Sequence, residues 1–115
     1  MDEALEMTLL FDYYGDLLTE RQRLCFDMRH NQDLTLGEIA EELQISRQGV
    51  HDNLSRAEAL LRNMEEKTGC VSRDLRSRKA CALIGSAAGQ LLTHPDPTVS
   101  HLAARIIQAA RGMEE

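Results

Sequence analysis

Two four-residue blocks set the tightest limits on how this chain can fold: Thr19-Glu20-Arg21-Gln22 and Thr35-Leu36-Gly37-Glu38. Each places Gln or Glu three residues after a threonine, the form of a capping box that satisfies both ends of a helix start. Two starts this close leave room only for a short helix and a loop between them. The spacing predicts a helix over about 20–30, a loop at Asn31-Gln32-Asp33, and a short helix from Thr35 that stops near Gln44. Ser46 then caps a longer helix reaching about Lys67, with Gly69 supplying its left-handed end. Ahead of these, Leu5, Leu9, Leu10, Tyr13, Tyr14 and Leu17 recur at helical spacing between Asp2 and Leu18, with Gly15 marking a bend. Helices are also expected over about Asp74–Leu92 and Pro97–Arg111, the last capped by Asp96, with Pro97 first and Gly112 as its stop.

Composition points the same way. Only two Tyr and two Phe are present, with no Trp and nine Pro plus Gly in 115 residues. That poverty disfavours a sandwich or barrel. The expected fold class is all-α: a helical bundle with a helix-turn-helix and a two-helix C-terminal extension. Residues 1–71 would hold the first helix and the motif, and 72–115 the extension, in one compact domain overall. No apolar run approaches the ~20 residues of a membrane span. The opening Met1-Asp2-Glu3 has the wrong charge for a secretory signal, so a cytoplasmic location is expected. Cys25, Cys70 and Cys81 form no C-x-x-C pair and the four His are scattered. Neither a disulfide framework nor a metal site is expected, and no cofactor.

The informative stretch is Thr19 to Leu61. A helix over 36–43, a short turn and a second helix opening Ser46-Arg47-Gln48-Gly49-Val50 have the spacing of a helix-turn-helix. Ala40 is small where the two helices cross. Ile39, Leu43, Ile45, Val50 and Leu54 fill the angle between them, and Ala57, Leu61 and Met64 continue the stripe. Gln44 stands where such turns commonly carry Gly. In a left-handed conformation it should cost about 1 kcal/mol.

Beyond the motif itself, the blocks Leu9-Leu10-Phe11-Asp12-Tyr13-Tyr14-Gly15, Leu18 to Gln22, Asp33 to Glu41 and Ser46 to Leu54 resemble the YlxM family of small bacterial proteins. Through that family they resemble the promoter-reading region of sigma factors. The likeness covers most of residues 5–70. It implies a regulatory protein linked with the signal recognition particle pathway, with that particle's proteins as partners.

A helix-turn-helix presents the first turns of its second helix to a partner, commonly the DNA major groove. Arg47, Gln48, His51, Asp52, Ser55 and Arg56 lie off the apolar stripe there and are the expected nucleic-acid contacts, with Arg47 suited to phosphate or guanine and Gln48 to adenine. The competing reading is an ordinary solvated helix face. Charge favours it, because residues 1–71 hold seven basic and fifteen acidic residues, and phosphate approach needs cations. Arg21 and Arg23 are expected on the same side as Arg47 and Arg56. The run Ser72 to Lys79 carries Arg73, Arg76, Arg78 and Lys79 against Asp74. It reads as a site for phosphate or an acidic partner, or as a solvated linker balancing the acidic half. Basic groups at a helix start oppose its dipole, so stability alone does not place them there.

Catalysis is not expected. Glu41, Glu42, Glu65 and Glu66 are adjacent acids with no nucleophile or phosphate loop beside them. Phe11, Tyr13 and Tyr14 sit among leucines and read as core rather than a base-stacking platform. The leading reading is therefore a regulator that binds DNA or RNA. Its alternative is an adaptor that docks on signal recognition particle components without DNA. The stripes Ala80 to Leu92 and Val99 to Ala110 carry more apolar surface than two helices can bury in each other, so they either pack on Leu5, Leu9 and Tyr13 of the same chain or, the favoured expectation, form a homodimer.

Overall fold

The computed structural model describes residues 2–113. Among them the chain is all-α, with six helices and no strand: α1 (Glu3–Tyr14), α2 (Glu20–His30), α3 (Leu36–Leu43), α4 (Arg47–Thr68), α5 (Cys70–Gly89) and α6 (Pro97–Gly112). A single 3-10 turn, Gly15–Leu17, follows α1. The chain divides into two compact units, Met1–Val71 and Ser72–Glu115.

In the first unit α1, α2 and α3 all pack on the long α4. Both capping boxes form. Thr19 Oγ1 accepts from Gln22 N at 3.2 Å while Thr19 N donates to Gln22 Oε1 at 3.0 Å. Thr35 and Glu38 repeat the exchange at 3.1 Å both ways. The loop between α2 and α3 is tied to Asp27, whose carboxylate accepts from Asn31 at 2.7 Å and Gln32 at 2.9 Å. Asp33 takes a left-handed φ of 56° there. These are short-range bonds, which is why the helix starts were readable from spacing.

Phe26 fills the middle of this unit. It is fully buried, stacked on Phe11 at 4.6 Å between ring centroids and on His30 at 4.1 Å. Leu10, Ile39, Val50, Leu61 and Cys25 are also fully buried. Burial pushes the Cys25 thiol above its ordinary pKa, and the nearby Arg21 charge opposes that only in part. Tyr14 is buried as expected, but Leu5, Tyr13, Leu17 and Leu24 are exposed. On α2 the buried pair is Cys25 and Phe26, with Leu24 exposed and Met28 half-buried, and Phe26 stacks on the ring that Phe11 offers.

At the end of α4 the Tyr14 hydroxyl lies 2.7 Å from Glu65 Oε1 and 2.6 Å from Thr68 Oγ1. Burial raises the Tyr14 phenol pKa; the Thr68 bond lowers it and Glu65 raises it further. The same Glu65 oxygen accepts from Val71 N at 3.0 Å, and Thr68 Oγ1 accepts from Cys70 N. With Gly69 left-handed at φ 63°, these side chains cap α5 from the preceding helix. That is why α5 starts at Cys70 and not at Asp74.

In the second unit, α5 ends at Gly89 and Leu92 lies in the following turn, outside the helix expected to hold it. Asp96 caps α6, accepting from Thr98 N at 2.9 Å, and Pro97 takes the first helical position. Gly112 does not stop the helix. It is the last helical residue, and Gly69 is the only glycine with positive φ among the described residues. The buried hydrophobic residues of this unit are Cys81, Ala88, Ala103 and Ala110.

Candidate nucleic-acid interface

Helices α3 and α4 make the motif, and the turn between them is built from short contacts. Gln44 is left-handed, at φ 56° and ψ 47°. Ile45 N donates back to Ala40 O at 3.0 Å, a six-to-one bond that closes α3. Ile39 and Ala40 on α3 and Val50 and Leu54 on α4 are buried where the two helices pack together. Ser46 then caps α4, its Oγ accepting from Gly49 N at 2.9 Å.

With Val50, Leu54, Ala57 and Leu61 turned inward, the opposite side of α4 holds the six expected contacts. Arg47, Gln48, His51, Asp52, Ser55 and Arg56 are all exposed. They do not stand independently. Gln48 Nε2 donates to Asp52 Oδ1 at 3.0 Å, and His51 Nδ1 lies 3.8 Å from the same oxygen. Arg47 lies over the first turn of α3. A Cβ at Gly37 would come within 3.1–3.3 Å of the guanidinium, so Gly37 leaves the space that Arg47 occupies. Spacing within one helix gives no hint of that contact.

Among α1 to α4 this helix start differs in charge, although the first turns of α5 and α6 also carry no acid. The first turns of α1, α2 and α3 each carry an acid, which suits the positive end of a helix dipole. The first turn of α4 carries none and begins instead with Arg47. An anion placed there gains from both the dipole and the guanidinium. Against this, Glu38, Glu41 and Glu42 stand exposed on α3.

Two of the outlying cations are paired elsewhere. Arg23 pairs with Asp16 in the 3-10 turn at 3.6 Å, an exposed pair of small energetic weight. Arg21 is exposed on α2, and among the described residues no salt bridge joins it or Arg23 to a residue of α4. Arg73, Arg76, Arg78 and Lys79 are exposed along the first half of α5, where Arg78 pairs with Asp74 at 3.0 Å. The run is therefore helical, not a linker. Among the described residues the three cysteines are free thiols, and no helix is long and apolar enough to cross a membrane.

A short α3, a left-handed turn and a capped α4 with its polar side outward define a helix-turn-helix protein. Sequence comparison gives the particular family. Residues 1–88 match the model described as "Putative helix-turn-helix protein, YlxM / p13 like", and the chain belongs to that family. Similar proteins are bacterial and carry the name UPF0122 protein. One from Acetivibrio thermocellus is 53% identical over 68% of this chain and 67% of its own length. One from a Thermoanaerobacter species is 57% identical over 63% and 62%. One from Desulforamulus reducens is 50% identical over 70% and 68%. The chain thus spans about two thirds of the length of the relatives it matches, 62% to 68% in these three.

Proposed function

We propose that this chain is a non-enzymatic regulatory protein that docks the head of α4 onto nucleic acid. The supporting observation is the exposed set Arg47, Gln48, His51, Ser55 and Arg56 at a helix start without an acid in its first turn. In this reading the α4 dipole and Arg47 meet a phosphate, and Gln48 turns from Asp52 to a base edge. Arg21, Arg23 and the α5 cations Arg73, Arg76, Arg78 and Lys79 are secondary phosphate or partner contacts. Family resemblance supports the signal recognition particle pathway, and a cytoplasmic location, as the setting. The chain acts as a homodimer, which offers two recognition helices to a two-fold site.

A duplex DNA titration across a salt series tests this. Binding should weaken steeply as salt rises. Arg47→Ala and Gln48→Ala should each weaken it, by about 1–3 kcal/mol where a base contact is lost, and leave thermal stability unchanged. A double variant that binds like the wild type overturns the docking mechanism.

The acids of α3 favour a second reading. Glu38, Glu41 and Glu42 beside the motif, with Asp52 on α4 itself, suit a basic protein surface better than a phosphate backbone. The chain would then be an adaptor on signal recognition particle components. Absence of DNA binding at low salt, with binding to those components kept, selects it.

A further inference from the structure

Gly37 stands in the first turn of α3, a helix of only eight residues, where glycine holds a helix less well than alanine would. Its backbone does not call for glycine, since Gly69 is the only glycine with positive φ among the described residues. What Gly37 lacks is a side chain, and that space is taken. A Cβ there would lie 3.1 Å from Arg47 Nη2, 3.2 Å from Nε and 3.3 Å from Cζ. With three of its atoms at nearly one distance, the guanidinium lies across the turn of α3, on bare backbone. The glycines of α5 and α6 show the contrast: a Cβ at Gly85, Gly89 or Gly112 would meet nothing within 4 Å.

The guanidinium seated there has no counter-charge. Among the described residues no salt bridge includes Arg47, although α3 carries Glu38, Glu41 and Glu42. The acid next to Gly37 is engaged elsewhere, because Glu38 Oε1 accepts from Thr35 N at 3.1 Å and closes the capping box. A long exposed side chain ordinarily loses its freedom when it meets a ligand, and that loss weakens binding. Arg47 has given up part of that freedom before any ligand arrives. A cation seated by packing and left without a carboxylate is ready for an anion from outside the chain.

We infer that Gly37 is a positioning residue for nucleic-acid docking: the bare first turn of α3 seats the Arg47 guanidinium where a phosphate meets the head of α4. The inference rests on the docking proposed above. It gives α3, the helix that crosses the sugar-phosphate backbone in motifs of this class, a part beyond supporting α4. Gly37 acts only through Arg47, by leaving room. A methyl group at this position pushes the guanidinium aside by a few tenths of an ångström, and a longer side chain takes the seat.

Gly37→Met supplies a flexible, helix-favouring side chain with no charge and no donor. In duplex DNA titrations at low salt it should weaken binding about 3- to 10-fold, the effect of having to order one long side chain on binding. The thermal midpoint should not fall, because a better helix former replaces glycine. In the Arg47→Ala background the same substitution should cause no further loss, a dependence that a general effect on folding would not show. Gly37→Ala should give a smaller loss with the same dependence. In the free protein, NMR relaxation at Arg47 Nε should report a restricted side chain that Gly37→Met sets free. Unchanged binding in Gly37→Met, or an equal loss with and without Arg47, overturns the positioning role and leaves the docking intact. A wild type with no affinity for DNA overturns the docking and this role with it. An Arg47 Nε as mobile in the wild type as in Gly37→Met overturns the seat itself, whatever the affinities.

Discussion

The two units bury different kinds of side chain. Residues 2–71 close around Phe26, Leu10, Ile39 and Leu61, which lose essentially all contact with water. Residues 72–113 bury Cys81, Ala88, Ala103 and Ala110, and turn Leu83, Ile84, Leu102 and Ile106 outward. Apolar content is therefore a poor guide to where a helix gains stability. In the first unit three helices surround a fourth and can bury volume. The first unit is built to hold the turn between α3 and α4 rigid, and the second offers a surface.

Truncation of one large side chain in each unit gives the largest expected contrast. Phe26→Ala should destabilise by about 3–5 kcal/mol in urea unfolding. Ile106→Ala, measured at high dilution so that self-association does not contribute, should change stability by under about 1 kcal/mol. Comparable losses would show that α6 is held as firmly as the first core.

Tyr14→Phe should have a smaller effect, about 1 kcal/mol, through the loss of its bonds to Glu65 and Thr68. The effect should depend on pH. The folded state keeps the Tyr14 proton to higher pH than the unfolded chain, whose phenol titrates near about 10. Below that pH both states are protonated and the stabilisation is complete. Above it the unfolded state releases its proton first, so stability falls as pH rises toward the folded pKa. Urea midpoints from pH 8 to 11 should converge for wild type and Tyr14→Phe at the alkaline end. Parallel curves would mean that burial does not shift the phenol.

The smallest expected effect has the opposite sign. Gln44→Gly should stabilise the first unit by about 0.5–1 kcal/mol, because Gly adopts the left-handed turn without steric cost. A destabilised variant would show that the Gln44 side chain supports the turn and offsets its strain.

How far each feature could be read depends on how far apart its parts lie. The Thr19, Thr35, Ser46 and Asp96 caps and the left-handed Gln44 were legible because their bonds close within two to five residues. The burial of Phe26 in place of Leu24 was not, because α2 is mostly polar and its partner ring, Phe11, lies in another helix. The start of α5 was misplaced for a similar reason. A serine-arginine-aspartate run reads as a linker with a cap, whereas the N–H groups of Cys70 and Val71 are already satisfied by Thr68 and Glu65. At the candidate interface, motif spacing placed all six α4 residues on the exposed side. Their internal pairing through Asp52, and the contact of Arg47 with Gly37, required coordinates.

The sequence by itself determined the helical class, the helix starts and the helix-turn-helix, because capping and turn chemistry are local and each residue type has few ways to satisfy its backbone. Only the tertiary structure decided which apolar faces are covered. Burial belongs to a residue and its neighbours jointly, and those neighbours come from other helices. It put Phe26 inside and Leu24 outside, capped α5 from the end of α4, and left the stripes of Ile84 and Ile106 facing water.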